Sequence, residues 1–256
     1  MWFDPVAFYL LSFPVRWYGI AWATSFLFML YVPSHLALQS KPIKSHWQDI
    51  VCNALLAAVI GGRLGEMLIF QHEVLLADPL SLLKIWQGGM SFHGALLCGG
   101  LSFIYMARYY SINFWVLSDA AVVHLPVTFF LVRIANFING ELCGRVTDVS
   151  WAVRIPQCGY LPTHPSQLYE AGGEGLLLWL VVYGVSKYYK TKGVVAVSFV
   201  VSYSIIRLWI ETYFRAPTYE LSQIVSSGQI LCLLMICIGL LMGMSCWKHQ
   251  SQCQKA

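Results

Sequence analysis

Seven apolar windows, each close to the ~20 residues that a helix needs to cross bilayer hydrocarbon, constrain this chain more than any other feature. They fall at Tyr18–Leu38, Asp49–Phe70, Met90–Tyr109, Trp115–Phe137, Gln167–Ser186, Gly193–Phe214 and Gln229–Trp247. Charged residues make up 11% of the sequence, less than half the roughly one quarter usual in a soluble domain. The fold predicted is therefore an all-α integral membrane protein, a polytopic bundle of about seven transmembrane helices forming a single domain over residues 1–256. No repeat or low-complexity tract interrupts it, and the N-terminus (MWFDPVAFYL) lacks the basic region of a cleavable signal, so the first span is expected to remain.

Loop charge sets the orientation. One set of loops carries Lys41, Lys44, Arg108, Lys187, Lys190, Lys192, Lys248 and Lys255, the other Arg16, Lys84, Arg145, Arg154 and Arg215 together with six acidic residues. Eight basic residues against five place the first set in the cytoplasm, the N-terminus outside and the C-terminus inside. The longest outer loop, Ile138 to Ser166, then becomes a periplasmic arm, and a loop of that length is more often functional than connective. The net charge of +4 is spread along the chain, so a membrane accounts for it and nucleic acid is not an expected partner.

Ionisable residues at membrane depth are costly, about 2.5 kcal/mol or more each, and mark sites where something polar is gripped. The densest such stretch is Arg133–Arg145 (RIANFINGELCGR). Arg133 and Asn136 share a helix face, and Asn139-Gly140 is a turn signal that ends the helix. A guanidinium beside amides suits a phosphodiester, because arginine offers a rigid fork of donors to phosphate oxygens. The packing alternative pairs Arg133 with Glu141 or Glu66. Tyr203, Arg207, Glu211 and Arg215 recur every four residues and form one polar stripe, with salt bridges among Arg207, Glu211 and Arg215 as its structural explanation. In the second span, glycines around Arg63 favour close helix approach and an Arg63–Glu66 pair.

His93, preceded by Gly88-Gly89, sits about one turn into the third span, where it is suited to accept a proton or to hydrogen-bond a neighbouring helix. Tyr18 serves equally as an interfacial anchor or a ligand contact. The eight cysteines form no CxxC pair and no metal spacing. Cys143 and Cys158 flank the polar stretch; a disulfide or a nucleophile are alternatives there, but context favours unpaired thiols. No Walker motif, GxSxG elbow, HExxH or cluster of carboxylates for a metal pair occurs. Direct transfer between two bound substrates, without metal or cofactor, is the simpler expectation.

Several motifs in order resemble the bacterial prolipoprotein diacylglyceryl transferase family. Gly88 to Gly94 resembles its GGMSFHG motif, Arg133 to Gly144 its signature GRxGNFINGExxG, and His164 to Glu170 its HPSQLYE segment. Phe214-Arg215-Ala216-Pro217 and Gly228-Gln229-Ile230-Leu231 match as well, while Val132 and Ala135 stand where the signature usually has glycine. The resemblance implies a single transmembrane transferase domain in the bacterial inner membrane. It implies transfer of the diacylglyceryl group of phosphatidylglycerol, a membrane lipid, to the lipobox cysteine of prolipoprotein signal peptides, leaving a thioether and glycerol phosphate. It gives His93, Arg133 and Arg207 catalytic roles. Arg133, Asn136, Asn139, Glu141, Gly144, Tyr18 and Tyr203 would bind phosphatidylglycerol, supported by Glu211 and Arg215. An arginine field that lowers the thiol pKa rivals His93 as the activating group. An anion transporter lined by Arg63, Arg133 and Arg207 is the alternative from another class, though such proteins often carry repeats and this chain has none. A membrane scaffold would leave the polar stripe unexplained.

Overall fold

The computed structural model describes residues 2–84, 89–216 and 226–253. Before the first helix, β1 (Val6–Leu10) and β2 (Phe13–Arg16) pair antiparallel, with Leu11 at a positive φ of 55° in the turn. Then follow α1 (Trp17–Tyr31), α2 (His35–Gln39), α3 (Lys41–Gly65) and α4 (His72–Ala77). Next come α5 (Phe92–Tyr109), α6 (Phe114–Val122) and α7 (Leu125–Asn139). The arm holds β3 (Val153–Arg154) and β4 (Pro162–Thr163), a second antiparallel pair. The chain ends in α8 (Ser166–Glu170), α9 (Leu178–Tyr188), α10 (Val194–Tyr213) and α11 (Ser227–Cys253). The prediction of an all-α fold is thus corrected by two short hairpins, both outside the apolar windows, where no hydrocarbon forces the backbone to bond within one helix.

All seven predicted windows are largely helical, but fewer helices meet the length and composition needed to cross a membrane. Among the described residues three do, over Trp17–Gln39, Lys41–Ile69 and Val194–Tyr213. A fourth results if α6 and α7, bent by 41°, count as one span. The bend falls at the residues before Pro126, where the ring removes a helical donor and disfavours helix in its predecessor. Two compact units divide the chain, residues 30–117 and residues 1–29 with 118–256.

In the first unit α3 packs on α5 through glycines. A methyl group on Gly94 would collide with the carbonyl of Gly61, and one on Gly65 would meet Ser91 Cβ at 3.0 Å. The close approach expected around Arg63 is present, but the Arg63–Glu66 pair is not. Arg63, 3% exposed, donates to the carbonyls of Ser81 (2.6 Å), Gly89 (3.1 Å), Leu82 and Lys84 (both 3.2 Å), while Glu66 accepts from Gln71 Nε2 at 3.0 Å. The reason is competition: carbonyls from Ser81 to Gly89 take up the donors of Arg63, and Glu66, where a π segment begins, turns to Gln71.

In the second unit a π segment, Ala171–Leu177, joins α8 to α9 without a break. It brings Gly175 against α7, where a Cβ would lie 2.6 Å from that of Phe130. Asp119 of α6 caps α10 by accepting from the N–H groups of Gly193 (2.6 Å) and Ala196 (2.8 Å). Helix α7 stops where the sequence predicts, at Gly140 with φ 70°, a left-handed cap that glycine adopts without strain. The arm is built on fully buried Ile155, and Gly144 pairs with Arg215 in an isolated antiparallel bridge. Cys143 and Cys158 are joined as a disulfide, with Cα atoms 5.8 Å apart, which corrects the expectation of unpaired thiols. Connectivity of this kind is a tertiary fact, because residues separated by 15 positions meet only once the arm folds back.

Candidate functional site

Six ionic side chains converge in the second unit from four helical segments. Arg133 extends from α7, Glu170 from α8, Glu174 from the π segment, and Arg207 and Glu211 from α10. Arg215 follows two residues after α10. The stripe predicted every four residues is real, although its last member has left the helix and is held by the arm through the Gly144 bridge.

Glu174 is shared. Its Oε2 lies 3.1 Å from Arg133 Nη2, and its Oε1 lies 3.0 Å from Arg207 Nη1. Glu170 Oε1 meets Arg207 Nη1 at 3.1 Å and Arg215 Nη1 at 2.9 Å. Arg133 Nε stands 2.9 Å from Glu170 Oε2, an ion contact whose angle leaves that oxygen without a hydrogen bond. Glu211 Oε2 accepts from Arg207 Nη2 at 3.0 Å and lies 3.7 Å from Arg215 Nε, while its Oε1 accepts from Ser226 Oγ at 3.3 Å. The salt bridges expected among Arg207, Glu211 and Arg215 are therefore present. The partners suggested for Arg133, Glu141 or Glu66, are replaced by Glu170 and Glu174.

The carboxylates are essentially buried and the arginines 14–19% exposed at the side chain. Three guanidinium groups face three carboxylates, so the cluster has no net charge, the condition under which buried ions are tolerated. Each guanidinium has five donors. Arg133 Nη1 and Arg207 Nε have no partner among the described residues. The cluster is balanced internally, yet these two groups keep donors unspent among the described residues.

At the end of α7 a second polar group adjoins. Asn136 Nδ2 and Asn139 Nδ2 donate to the two oxygens of Glu141, at 3.0 and 3.1 Å, and the backbone carbonyl of Glu141 accepts from Gln167 Nε2. Gly144 admits no side chain, since a Cβ would strike the carbonyl of His164. Tyr203, one turn before Arg207, packs on Phe129 at 5.3 Å between ring centroids. Tyr18 opens α1 with its ring 6.3 Å from Trp22 and contacts none of the six ionic side chains among the described contacts. His93 is the second residue of α5, after Ser91 caps the helix by accepting from the Gly94 N–H at 3.3 Å. The His93 side chain and Gly88 lie outside the described residues, as does Pro217.

The sequence model described as prolipoprotein diacylglyceryl transferase matches residues 5–245. The chain belongs to this family. It is similar to proteins named phosphatidylglycerol–prolipoprotein diacylglyceryl transferase from several bacteria. Identity is 40% with that of Glaesserella parasuis, over 96% of this chain and 94% of the relative. It is 39% with that of Geobacter sulfurreducens (93% and 94%) and 38% with that of Allorhizobium ampelinum (93% and 88%).

Within this transferase family fold, sequence reasoning missed Glu170 and Glu174 as partners of the arginines. Two carboxylates four residues apart in an apolar window signalled a polar face, the same spacing that exposed Arg207 and Glu211, but not which arginines it meets.

Proposed function

We propose that this protein transfers the sn-1,2-diacylglyceryl group of phosphatidylglycerol to the lipobox cysteine of prolipoproteins, the first step of lipoprotein maturation. The thiolate sulfur attacks the glyceryl carbon bonded to phosphate. A carbon–sulfur bond forms, the carbon–oxygen bond breaks, and glycerol phosphate leaves with the bonding electrons. The departing phosphate gains one negative charge, so the groups that matter are donors already aimed at that oxygen.

The observation that carries this reading is the pair of donors without a partner among the described residues, Arg133 Nη1 and Arg207 Nε, on a cluster whose charges cancel. Arg133 and Arg207 grip the phosphate, and Glu170, Glu174, Glu211 and Arg215 keep both guanidinium groups in place. Asn136, Asn139, Glu141 and Gly144 shape the headgroup end, with Tyr18 and Tyr203 as further lipid contacts. His93 takes the thiol proton, since the thiolate is the nucleophile. Residues 1–256 act as one transferase domain of about seven spans in the bacterial inner membrane.

The arm belongs on the periplasmic side, with the N-terminus, and the C-terminus lies in the cytoplasm. Two independent features support that orientation: the eight-to-five excess of basic residues on the opposite loops, and the Cys143–Cys158 disulfide, a bond that persists in oxidising compartments. The test mixes purified protein with phosphatidylglycerol and a lipobox peptide and follows peptide mass. A diacylglyceryl adduct is expected; its absence, with a control enzyme active, rejects the assignment.

A further inference from the structure

Beyond Tyr213 the backbone that carries Arg215 is held by two things. One is the end of α10, where the N–H groups of Phe214 and Arg215 donate to the Ile210 carbonyl at 2.9 and 3.2 Å. The other is the arm: the Arg145 N–H donates to the Phe214 carbonyl at 2.8 Å, and the Ala216 N–H to the Cys143 carbonyl at 3.0 Å. These two bonds straddle the Gly144–Arg215 bridge, so the position of Arg215 depends on the strand that begins at Cys143.

That strand is anchored by its first residue. Cys143 is bonded to Cys158 at the end of a short 3₁₀ turn, Pro156–Cys158. The turn follows fully buried Ile155 and places Gln157 against Gly140, where a Cβ would lie 2.5 Å from Gln157 Oε1. The crosslink therefore ties the strand to the cap of α7. From Arg215 the chain of contacts runs on through Glu170, which touches Arg207 at 3.1 Å and Arg133 at 2.9 Å.

We propose that the Cys143–Cys158 disulfide is a positioning element for phosphate binding. It fixes the strand that holds Arg215, and through Glu170 it holds the two arginines that face the lipid headgroup. This rests on the transferase reading for its effect on turnover, but not for its effect on the strand. Opening the bond restores freedom to the 15-residue loop and leaves the pairing at Arg215 without its anchor. Neither cysteine enters the chemistry; the acceptor thiol comes from the substrate.

The full-length protein in detergent is compared before and after treatment with a water-soluble phosphine, which converts the disulfide to two thiols and is itself oxidised to phosphine oxide. A Cys143→Ser/Cys158→Ser variant is measured in parallel. Because the phosphine experiment starts from folded protein, misfolding of the variant does not decide the result. Hydrogen exchange at the Arg145 and Ala216 amides is expected to rise about tenfold on reduction, and unchanged exchange overturns the proposal. Transfer from phosphatidylglycerol to a lipobox peptide is expected to slow about tenfold, whereas in an Arg215→Gln background the same reduction changes the rate by less than about twofold, because both act through one path. Equal fold-losses in the two backgrounds would instead mark the disulfide as a general stabiliser and reject the proposal. Oxidised wild type without transfer would count against the transferase reading alone, since the exchange measurement still judges the disulfide.

Discussion

Arg133 and Arg207, on two different helices, are bound to opposite oxygens of one carboxylate, that of Glu174, at 3.1 and 3.0 Å. Both arginines are therefore fixed relative to each other before any lipid arrives. Glu174→Ala would leave two largely buried guanidinium groups short of a counter-charge. Breaking one side of such a pair costs about 3 kcal/mol, so the variant should unfold at lower denaturant concentration than wild type. Unaltered stability would mean that Glu170 and Glu211 suffice to neutralise both arginines.

Replacing Arg133 separates binding from bulk charge. Arg133→Ala should lower transfer by roughly 10²- to 10³-fold, the scale for removing one donor from an anion-stabilising site. Arg133→Lys keeps the charge but loses the planar fork, so its donors radiate from one nitrogen and lack the spread with which the guanidinium faces Glu170, Glu174 and a phosphate. It should restore only a small part of the rate. Full rescue by lysine, measured as turnover on a lipobox peptide, would reduce the role of Arg133 to that of a point charge.

His93→Ala should slow transfer by roughly 10²-fold if the imidazole removes the thiol proton. The companion measurement is the same variant assayed with a thiol of low intrinsic pKa, already ionised at neutral pH. That substrate should lose much less, because it needs no base. Near-normal turnover of an ordinary lipobox peptide by His93→Ala would move the activating role to the arginines.

The helices and the polar stripe were legible in the sequence because both are periodic properties of a local segment. Apolar windows located helices, Asn139-Gly140 located the end of α7, and four-residue spacing aligned Arg207 with Glu211. Pairings across long separations were not legible. Arg133 meets Glu174 across 41 positions, and nothing local distinguishes that carboxylate from Glu141, only eight positions from Arg133. The expected Arg63–Glu66 pair fails for the same reason: Arg63 turns to the carbonyls of Ser81 and Gly89, 18 and 26 positions away. The bend before α7 was marked by Pro126, yet the window containing it is apolar enough on average to read as a single span.

Helix packing in the unit of residues 30–117 gives a prediction independent of chemistry. Gly94 faces the carbonyl of Gly61 so closely that no side chain fits, and Gly61 in turn faces Cys98 and the Gly94 carbonyl. Gly94→Val should force α5 away from α3 and destabilise the protein by about 1–3 kcal/mol, the usual cost of overpacking. A change at Gly100, which meets nothing within 4 Å, should be nearly neutral by comparison. Thermal unfolding of both variants in the same detergent distinguishes close packing from a general intolerance of bulk in α5.

Asp119 offers the last test, at the other end of α10 from the ionic cluster. Its two oxygens accept the N–H groups of Gly193 and Ala196, which no intrahelical carbonyl can satisfy. Asp119→Ala removes both bonds and should cost about 1–2 kcal/mol, the range for a lost N-terminal cap. Asp119→Asn retains an acceptor for one of the two donors and should fall between. Because α10 carries Arg207 and Glu211, a frayed start that stays local should lower stability while leaving the transfer rate of the folded protein unchanged. A drop in rate for Asp119→Asn at full folding would instead mean that α10 moves as a rigid rod and transmits the loss to Arg207.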